Sequence, residues 1–170
     1  STDLLLEVPA GDEALESALH ANQIDMTLIP NYLTMAKAYV ANGDAAMAAA
    51  VLQTYTIYEP DDVTAAVTLG MVYNQTGKYD QALAVLNRAL ESDPRDAEAY
   101  NQRGYAYLNQ EKGNLAEADF KLAVAYDPWN FEAHLGLARA YFIQGNPGDA
   151  YVQVETNAYP LARTNETRAQ

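Results

Sequence analysis

The side chains with the most chemical potential in this sequence are two histidines and two clusters of carboxylates. The clusters flank Pro60 and Pro94, and they comprise Glu59, Asp61 and Asp62 in the first case and Asp93 and Asp96 in the second. A calcium site needs six or more oxygen donors that converge on one point, whereas turn and helix-cap roles explain each cluster. His20 and His134 lie far apart in the sequence. We therefore predict no metal site.

Sequence motifs that build catalytic or cofactor sites do not occur in this chain. It contains no His-Glu-x-x-His zinc motif, no Gly-x-Ser-x-Gly elbow and no glycine-rich phosphate loop. Because it has no cysteine, it also lacks thiolate nucleophiles, disulfides and most kinds of zinc site. We predict that the protein is not an enzyme, that it has no catalytic residue and that it uses no cofactor.

Composition narrows the class of partner. The 170 residues include 23 acidic and 10 basic side chains, which give a formal net charge of −13. This charge opposes binding to nucleic-acid phosphates and to anionic lipid headgroups, so we expect a protein or peptide partner and no nucleic acid. The apolar run Leu4-Leu5-Leu6 is too short to span a membrane, since a span takes about 20 apolar residues.

The sequence leaves the compartment open. A chain without cysteine suits the cytosol and the periplasm alike. No signal peptide is visible, but the chain begins at Ser1 rather than at a methionine. A periplasmic or membrane-tethered location follows if an upstream lipoprotein signal has been removed, and a cytoplasmic location follows otherwise.

Four columns of residues recur every 34 positions and indicate a repeat architecture. The columns are Pro60, Pro94 and Pro128; Tyr39, Tyr73, Tyr107 and Tyr141; Ala36, Gly70, Gly104 and Ala138; and Ala48, Ala82, Ala116 and Ala150. A small residue lets two helices approach closely, a glycine such as Gly77 ends a helix in the left-handed conformation, and a proline forces a turn. Helix pairs that cannot bury their apolar faces alone must stack, so the periodicity predicts an all-α solenoid.

In these columns the sequence resembles the tetratricopeptide repeat family, in which a small residue, an aromatic residue, a turn glycine, a second alanine and a closing proline recur over 34 residues. The resemblance implies an all-α fold, an α-solenoid in which helix hairpins wind into a right-handed superhelix. It also implies a single domain over 11–162. We predict an extended arm at 1–10, a half-repeat helix at 11–28, repeats at about 29–62, 63–96, 97–130 and 131–162, and a polar tail at 163–170.

Three details of the pattern lead to specific expectations. Gly70, on the first helix of its repeat, is expected to face Ala82 on the second helix. Glu111 stands where the other repeats carry glycine, and Gly113 follows two residues later, so we expect the turn of the third repeat to be displaced by about half a helical turn. His134 occupies the same column as Tyr32 and Tyr100 and is expected to pack in the core.

The resemblance further implies that the first helices of successive repeats line a concave groove. The side chains beside the packing columns would then bind the partner, and they are Leu33, Lys37, Val40, Val67, Met71, Asn74, Asn101, Tyr105, Leu108, Leu135, Arg139 and Phe142. Apolar, aromatic and amide groups of this kind suit an extended or helical peptide. Family members that clamp the carboxylate tail of a chaperone need several cations, whereas Leu33, Val67 and Met71 stand at such places here, so that role is disfavoured.

The carboxyl end of the array predicts a second contact surface. Repeat arrays usually finish with a polar helix that covers the last apolar face, but only residues 161–170 follow Pro160. We therefore expect Tyr151, Val154 and Tyr159 to be exposed. An uncovered apolar face usually marks a contact with a partner or with a second copy, so homo-oligomer formation through this end is expected.

The function that these residues favour is that of a non-catalytic protein-protein interaction module or scaffold, which binds a peptide or helix of its partner in the concave groove. Small, acidic, cysteine-free repeat proteins of this kind resemble bacterial assembly factors of the envelope, of pili or of secretion systems. They also resemble cytosolic chaperones that shield an apolar segment of a secreted or assembly client. The two alternatives differ in compartment.

Overall fold

The computed structural model describes residues 29–158 and residue 160. The predicted arm at 1–10, half-repeat at 11–28 and tail at 163–170 lie outside these described residues. Within them the chain forms eight α-helices and no strand. The helices are α1 Ile29–Ala41, α2 Ala45–Tyr58, α3 Val63–Gln75, α4 Tyr79–Ser92, α5 Ala97–Asn109, α6 Gly113–Tyr126, α7 Phe131–Ile143 and α8 Pro147–Gln153, and α8 is followed by the π-helical segment Val154–Ala158.

The helices form four pairs that repeat in register. The first helices begin at residues 29, 63, 97 and 131, and the second helices begin at 45, 79, 113 and 147, so both sets advance by 34 residues. Each helix packs against the next one in the sequence, and α3 also packs against α5 and α5 against α7. The first helices of the last three pairs therefore form one continuous layer. This arrangement confirms the predicted all-α solenoid.

Polar caps start the first helices of the last three pairs. The side-chain Oδ1 atoms of Asp62, Asp96 and Asn130 accept hydrogen bonds from the backbone amide three residues ahead, at 3.0, 2.6 and 3.0 Å respectively. Each bond satisfies an amide that has no acceptor within its own helix. Asp62 and Asp96, beside the proline turns, are thus helix caps, which confirms the cap role predicted for these two residues.

The turn between α5 and α6 is not displaced, so the expectation drawn from Glu111 is wrong. The two helices end and begin in the same register as the pairs whose turns contain glycine. Glu111 itself takes the left-handed conformation, with a φ of 60° that is close to the 72° of Gly77. The Lys112 amide still donates to the Tyr107 carbonyl at 2.9 Å. Packing of the helix pair therefore holds Glu111 in a conformation that costs a residue with a Cβ atom about 1 to 2 kcal/mol.

Glycines of the first helices make room for a large side chain of the second helix. A Cβ atom at Gly70 would lie 2.6 Å from Cγ of Leu86, and a Cβ atom at Gly104 would lie 2.9 Å from Cε1 of Phe120. Both of these large side chains are fully buried. The three atoms nearest to that Cβ position at Gly70 all belong to Leu86, one helical turn beyond Ala82 on α4, and the approach of Gly70 to Ala82 stays a prediction.

His134 packs in the core of the fourth pair, as predicted. It is buried, its Nδ1 atom accepts a hydrogen bond from the side-chain amide of Gln153 at 2.6 Å, and its Nε2 atom lies 3.0 Å from the carbonyl oxygen of Pro128. A carbonyl can only accept, so Nε2 carries the proton and donates it. The Nδ1 contact joins α7 to α8, and the Nε2 contact ties α7 to the turn that precedes it.

Candidate functional site

The structure separates the predicted groove residues by their exposure. The exposed ones are Lys37, Arg139 and Phe142, the half-buried ones are Leu33, Val40, Met71, Asn74, Tyr105 and Leu135, and the buried ones are Val67, Asn101 and Leu108. Val67 and Leu108 belong to the hydrophobic core, because the first helices pack directly against one another. Val67 and Leu108 are therefore core residues and not exposed groove residues that could contact a partner, which corrects their predicted placement.

Four of the predicted residues meet in a cleft of ≈ 460 Å³, which we call the central cleft. Met71 and Asn74 reach it from α3, and Asn101 and Tyr105 reach it from α5. The remaining lining residues are Gln75, Glu98, Gln102, Asn109 and Glu132. Because Glu132 belongs to α7, the central cleft runs across the first helices of three successive repeats.

Two amide side chains in the central cleft have an acceptor without a donor. The Nδ2 atom of Asn74 donates to the carbonyl of Gln102 at 2.7 Å, and the Nδ2 atom of Asn101 lies 3.3 Å from a carboxylate oxygen of Glu98. Carbonyl and carboxylate oxygens only accept, so these contacts fix which end of each amide is the nitrogen. The Oδ1 atoms of both asparagines are buried and have no hydrogen-bond partner among the described residues.

Tyr105 joins α5 to α7, two of the three helices that line the central cleft. Its hydroxyl donates to the backbone carbonyl of Glu132 at 2.9 Å and lies 3.2 Å from the carboxylate of the same residue. Its ring packs edge-on against Phe120, with 5.0 Å between the ring centroids. Burial, together with the nearby Glu132 carboxylate, raises the pKa of Tyr105 well above its ordinary value. The hydroxyl therefore stays protonated and keeps donating.

The sequence interpretation missed Glu98, Gln102 and Glu132. The two glutamates lie 34 residues apart, each at the second position of a first helix, and this acidic column is the signal that points to them. Asn101 carries a further signal, because Leu33, Val67 and Leu135 are the other members of its column. A buried amide in an otherwise apolar column breaks the local packing rule, and such exceptions are expected at functional sites.

A second cleft, which we call the end cleft, has a volume of ≈ 560 Å³ and lies between α7 and α8. It unites Leu135, Arg139 and Phe142 of the predicted groove with Tyr151 and Val154 of the predicted end surface. Phe142 and Tyr151 are 68% and 67% exposed. Two surfaces that were expected to be separate are therefore one apolar surface at the carboxyl-terminal end of the array.

Some predicted contact residues belong to neither cleft. Leu33, Lys37 and Val40 lie on α1, and none of them lines the central cleft or the end cleft. Tyr159, predicted for the end surface, lies outside the described residues.

An ion pair fixes α5 against the second helices. Nε and Nη2 of Arg103 donate to the two carboxylate oxygens of Asp119 on α6, at 2.7 Å each, and Nη1 donates to the side chain of Asn87 on α4, at 2.8 Å. The guanidinium also lies over the ring of Tyr100, 5.3 Å from its centroid. Hydrogen bonding to Asp119 raises the pKa of Arg103. Since α5 supplies the middle of the central cleft, this network holds the cleft in place.

Residues 29–158 contain neither a grouped set of metal ligands nor a membrane-spanning helix. No three histidine, aspartate or glutamate side chains in that part of the chain are placed so that they could hold a metal ion. None of the helices there is long and apolar enough to cross a membrane.

Comparison with known proteins returns repeat families. The sequence matches a family described as "TPR repeat" over residues 70–111 and two described as "Tetratricopeptide repeat" over residues 101–166 and 32–54. No curated protein matches the chain.

Solved structures with the same fold include MamA 41-end from Desulfovibrio magneticus RS-1, with a TM-score of 0.81 and 24% identity over 92% of this chain and 88% of that chain. Another is a crystal structure of MamA, with a TM-score of 0.80 and 18% identity over 92% and 91% of the two chains. A third is TTC0263, a thermophilic TPR protein in Thermus thermophilus, with a TM-score of 0.74 and 24% identity over 90% and 84%. At these identities the likeness concerns the fold.

Proposed function

The chain belongs to the tetratricopeptide repeat family, and from that premise we propose that it holds a peptide or helical segment of a protein partner in its central cleft. Proteins of this family are interaction scaffolds and are generally non-catalytic, so protein-protein interaction is the broad role of the chain. The finer proposal concerns which surface is used and what kind of client it takes.

One observation carries the proposal: an open cleft of ≈ 460 Å³ crosses three first helices and combines apolar, aromatic and amide side chains. Met71 and Tyr105 offer apolar contact. Gln75 and Asn109 are exposed amides at its edge, and amides can both donate to and accept from a peptide backbone. Such a mixture provides pockets for side chains and hydrogen bonds for the main chain, which together suit a bound peptide segment.

Site-specific photocrosslinking tests which surface is used. A photoreactive phenylalanine analogue is placed at Gln75 or Asn109, both exposed on the central cleft, and at Ala84 or Ala118, which are exposed on second helices. We expect a discrete partner adduct from the two cleft positions, reduced by an excess of unlabelled protein, and none from the two control positions. Adducts of equal yield from the cleft positions and the control positions, or adducts from the control positions alone, would show that the partner does not bind specifically in the central cleft.

The finer role that we propose is that of a bacterial assembly factor of the envelope, of pili or of a secretion system. A second candidate is a cytosolic chaperone that shields an apolar segment of a client. The apolar end cleft favours this second candidate, because Phe142 and Tyr151 are largely exposed there and an exposed apolar patch of this kind usually marks a contact site.

Two measurements separate the candidates. The photoreactive residue at Tyr151, which is exposed and lines the end cleft, would give the main client adduct for a chaperone, whereas the central cleft would do so for an assembly factor. The sequence of the full precursor provides the second measurement. A signal peptide with a lipid-attachment cysteine favours the envelope, and a plain initiator methionine favours the cytosol.

A further inference from the structure

The polar groups of the central cleft are out of balance, because acceptors outnumber free donors. The side-chain amide of Gln102 donates to Glu98 at 2.7 Å, and the hydroxyl of Tyr105 donates to Glu132 at 2.9 Å. Asn74 and Asn101 also direct their amide nitrogens at neighbouring oxygens. These four residues therefore offer a ligand little donor capacity.

The acceptors that remain are of two kinds. The carboxylates of Glu98 and Glu132 belong to exposed residues at the rim, and each can accept more than the bonds it already receives. The Oδ1 atoms of Asn74 and Asn101 are buried without a donor, and Asn101 as a whole is only 2% exposed. Leaving a buried acceptor without a donor is unfavourable, so the cleft favours a ligand that donates.

No lysine or arginine is among the described residues that line the central cleft, and neither Glu98 nor Glu132 forms an ion pair with another described residue, although Arg139 at the end cleft is close enough to act on Tyr105. The net charge of −13 adds to the negative potential around the central cleft. The bonds from Asn101 to Glu98 are long, at 3.3 and 3.4 Å, so they hold the Asn101 amide loosely, while Gln102 donates to the Glu98 carboxylate at 2.7 Å. A modest rotation of these side chains would turn them toward a positively charged ligand.

We propose that the central cleft takes an arginine side chain of the partner, with the guanidinium set between Glu98 and Glu132 and directed toward the amide oxygens of Asn74 and Asn101. This proposal rests on the proposed function and names the chemistry that the same site recognises. Arginine fits because it has five N–H donors, no acceptor and a planar fork that pairs with carboxylates. Its aliphatic stem would pack on Met71 and the ring of Tyr105.

The test uses three capped heptapeptides that differ only at the centre, which is arginine, lysine or citrulline in a background of alanine and glycine. Citrulline keeps the shape of arginine and removes its charge. Each peptide is titrated into the 15N-labelled protein up to millimolar concentrations, and the signals of the cleft residues, including the side-chain amides of Asn74 and Asn101, are followed. We expect arginine to bind about fivefold or more tightly than citrulline and more tightly than lysine.

Variants show whether the two glutamates cause this preference. In Glu98→Gln combined with Glu132→Gln, we expect arginine and citrulline to bind equally. The matched control is Asp61→Asn combined with Glu91→Gln, two exposed residues that line neither cleft, which changes the net charge equally and should keep the preference. If the cleft variant does not fold, the wild-type titration is repeated at high salt, where a charge-based preference must weaken.

Failure of this inference can be told apart from failure of the proposed function. If arginine and citrulline perturb the cleft equally, or if lysine binds most tightly, the arginine assignment is overturned while the peptide-binding role stands. If no peptide changes the NMR signals of the cleft residues, both the arginine assignment and the proposed binding of a peptide in the central cleft are overturned. A preference that survives in the Glu98 and Glu132 variant would also overturn the assignment.

Discussion

The Arg103–Asp119 ion pair should make an unusually large contribution to the stability of this array, and Asp119→Asn is the substitution that tests it. The substitution keeps the size of the side chain and removes its charge. In the wild type two guanidinium nitrogens donate to the carboxylate at 2.7 Å each. The Asp119 side chain is only 5% exposed and that of Arg103 20%, so solvent can replace little of what is lost.

The magnitude follows from these contacts. Removing one partner of a fully buried ion pair is unfavourable by about 3 to 5 kcal/mol. The expected loss is smaller here, because Arg103 keeps its bond to Asn87 and its place over the Tyr100 ring and the new amide oxygen can still accept one bond. We expect the free energy of unfolding to fall by about 2 kcal/mol, a change of about 30-fold in the unfolding equilibrium.

Urea denaturation followed by circular dichroism measures this loss. With a denaturant slope of about 2 kcal/mol per molar, the midpoint should fall by about 1 M. The control is Lys121→Gln, which breaks the exposed pair between Lys121 and Glu117 and should lower stability by no more than about 0.5 kcal/mol. A loss from Asp119→Asn no larger than that of the control would refute the reasoning.

The unfolding curve also reports on the coupling between repeats. The ion pair and Asn87 join α4, α5 and α6, and in repeat proteins such contacts between neighbours provide much of the cooperativity. If Asp119→Asn weakens that coupling, the transition should broaden. The double variant Arg103→Met with Asp119→Leu, which leaves no charge unpaired, should recover most of the lost stability.

Three further outcomes are expected. Glu111→Gly should raise stability by about 0.5 to 1 kcal/mol, because relief of the left-handed strain exceeds the extra chain entropy of glycine, whereas Gly77→Ala should lower it; both are measured by urea denaturation. The hydroxyl of Tyr55 donates to Asp62 at 2.8 Å, and this bond, with burial, raises the pKa of Tyr55 from 10.0 to about 12. The contribution of this hydrogen bond to the free energy of unfolding should be complete below pH 10 and should be lost as the pH rises toward 12. In Tyr55→Phe the free energy of unfolding should therefore decline less steeply over this range. If the end cleft mediates self-association, light scattering at high concentration should show a mass above the monomer that Tyr151→Glu removes, and a strict monomer in both would count against that contact.

The repeat architecture could be predicted from the sequence because each recurring residue satisfies a local requirement. Gly77 ends a helix in a backbone conformation that glycine adopts readily, and Asp62 and Asp96 cap the helices that follow. These requirements depend on a few neighbouring residues, and they recur with the helix pair. The order of the helices and their stacking follow from the same local rules.

The central cleft could be predicted only in part. Met71, Asn74, Asn101 and Tyr105 were identified through the columns of the repeat, and Asn101 is also recognisable as an amide in an apolar column. Glu98 and Glu132 share a column too, but a periodic acid at a helix start is equally typical of a solvated first turn. Whether such a residue faces solvent or lines a cleft depends on how far α5 lies from α7.

Within residues 29–158 the sequence by itself determined the number, order and pairing of the helices, because turns and caps are set by residues near one another in the chain. Only the tertiary structure decided that Val67 and Leu108 are buried, that the last repeat and the end surface form one cleft, and that Glu111 takes the left-handed conformation. Each of these depends on the distance and tilt between neighbouring repeats. Side chains from several helices set that geometry together, and no single column of the sequence encodes it.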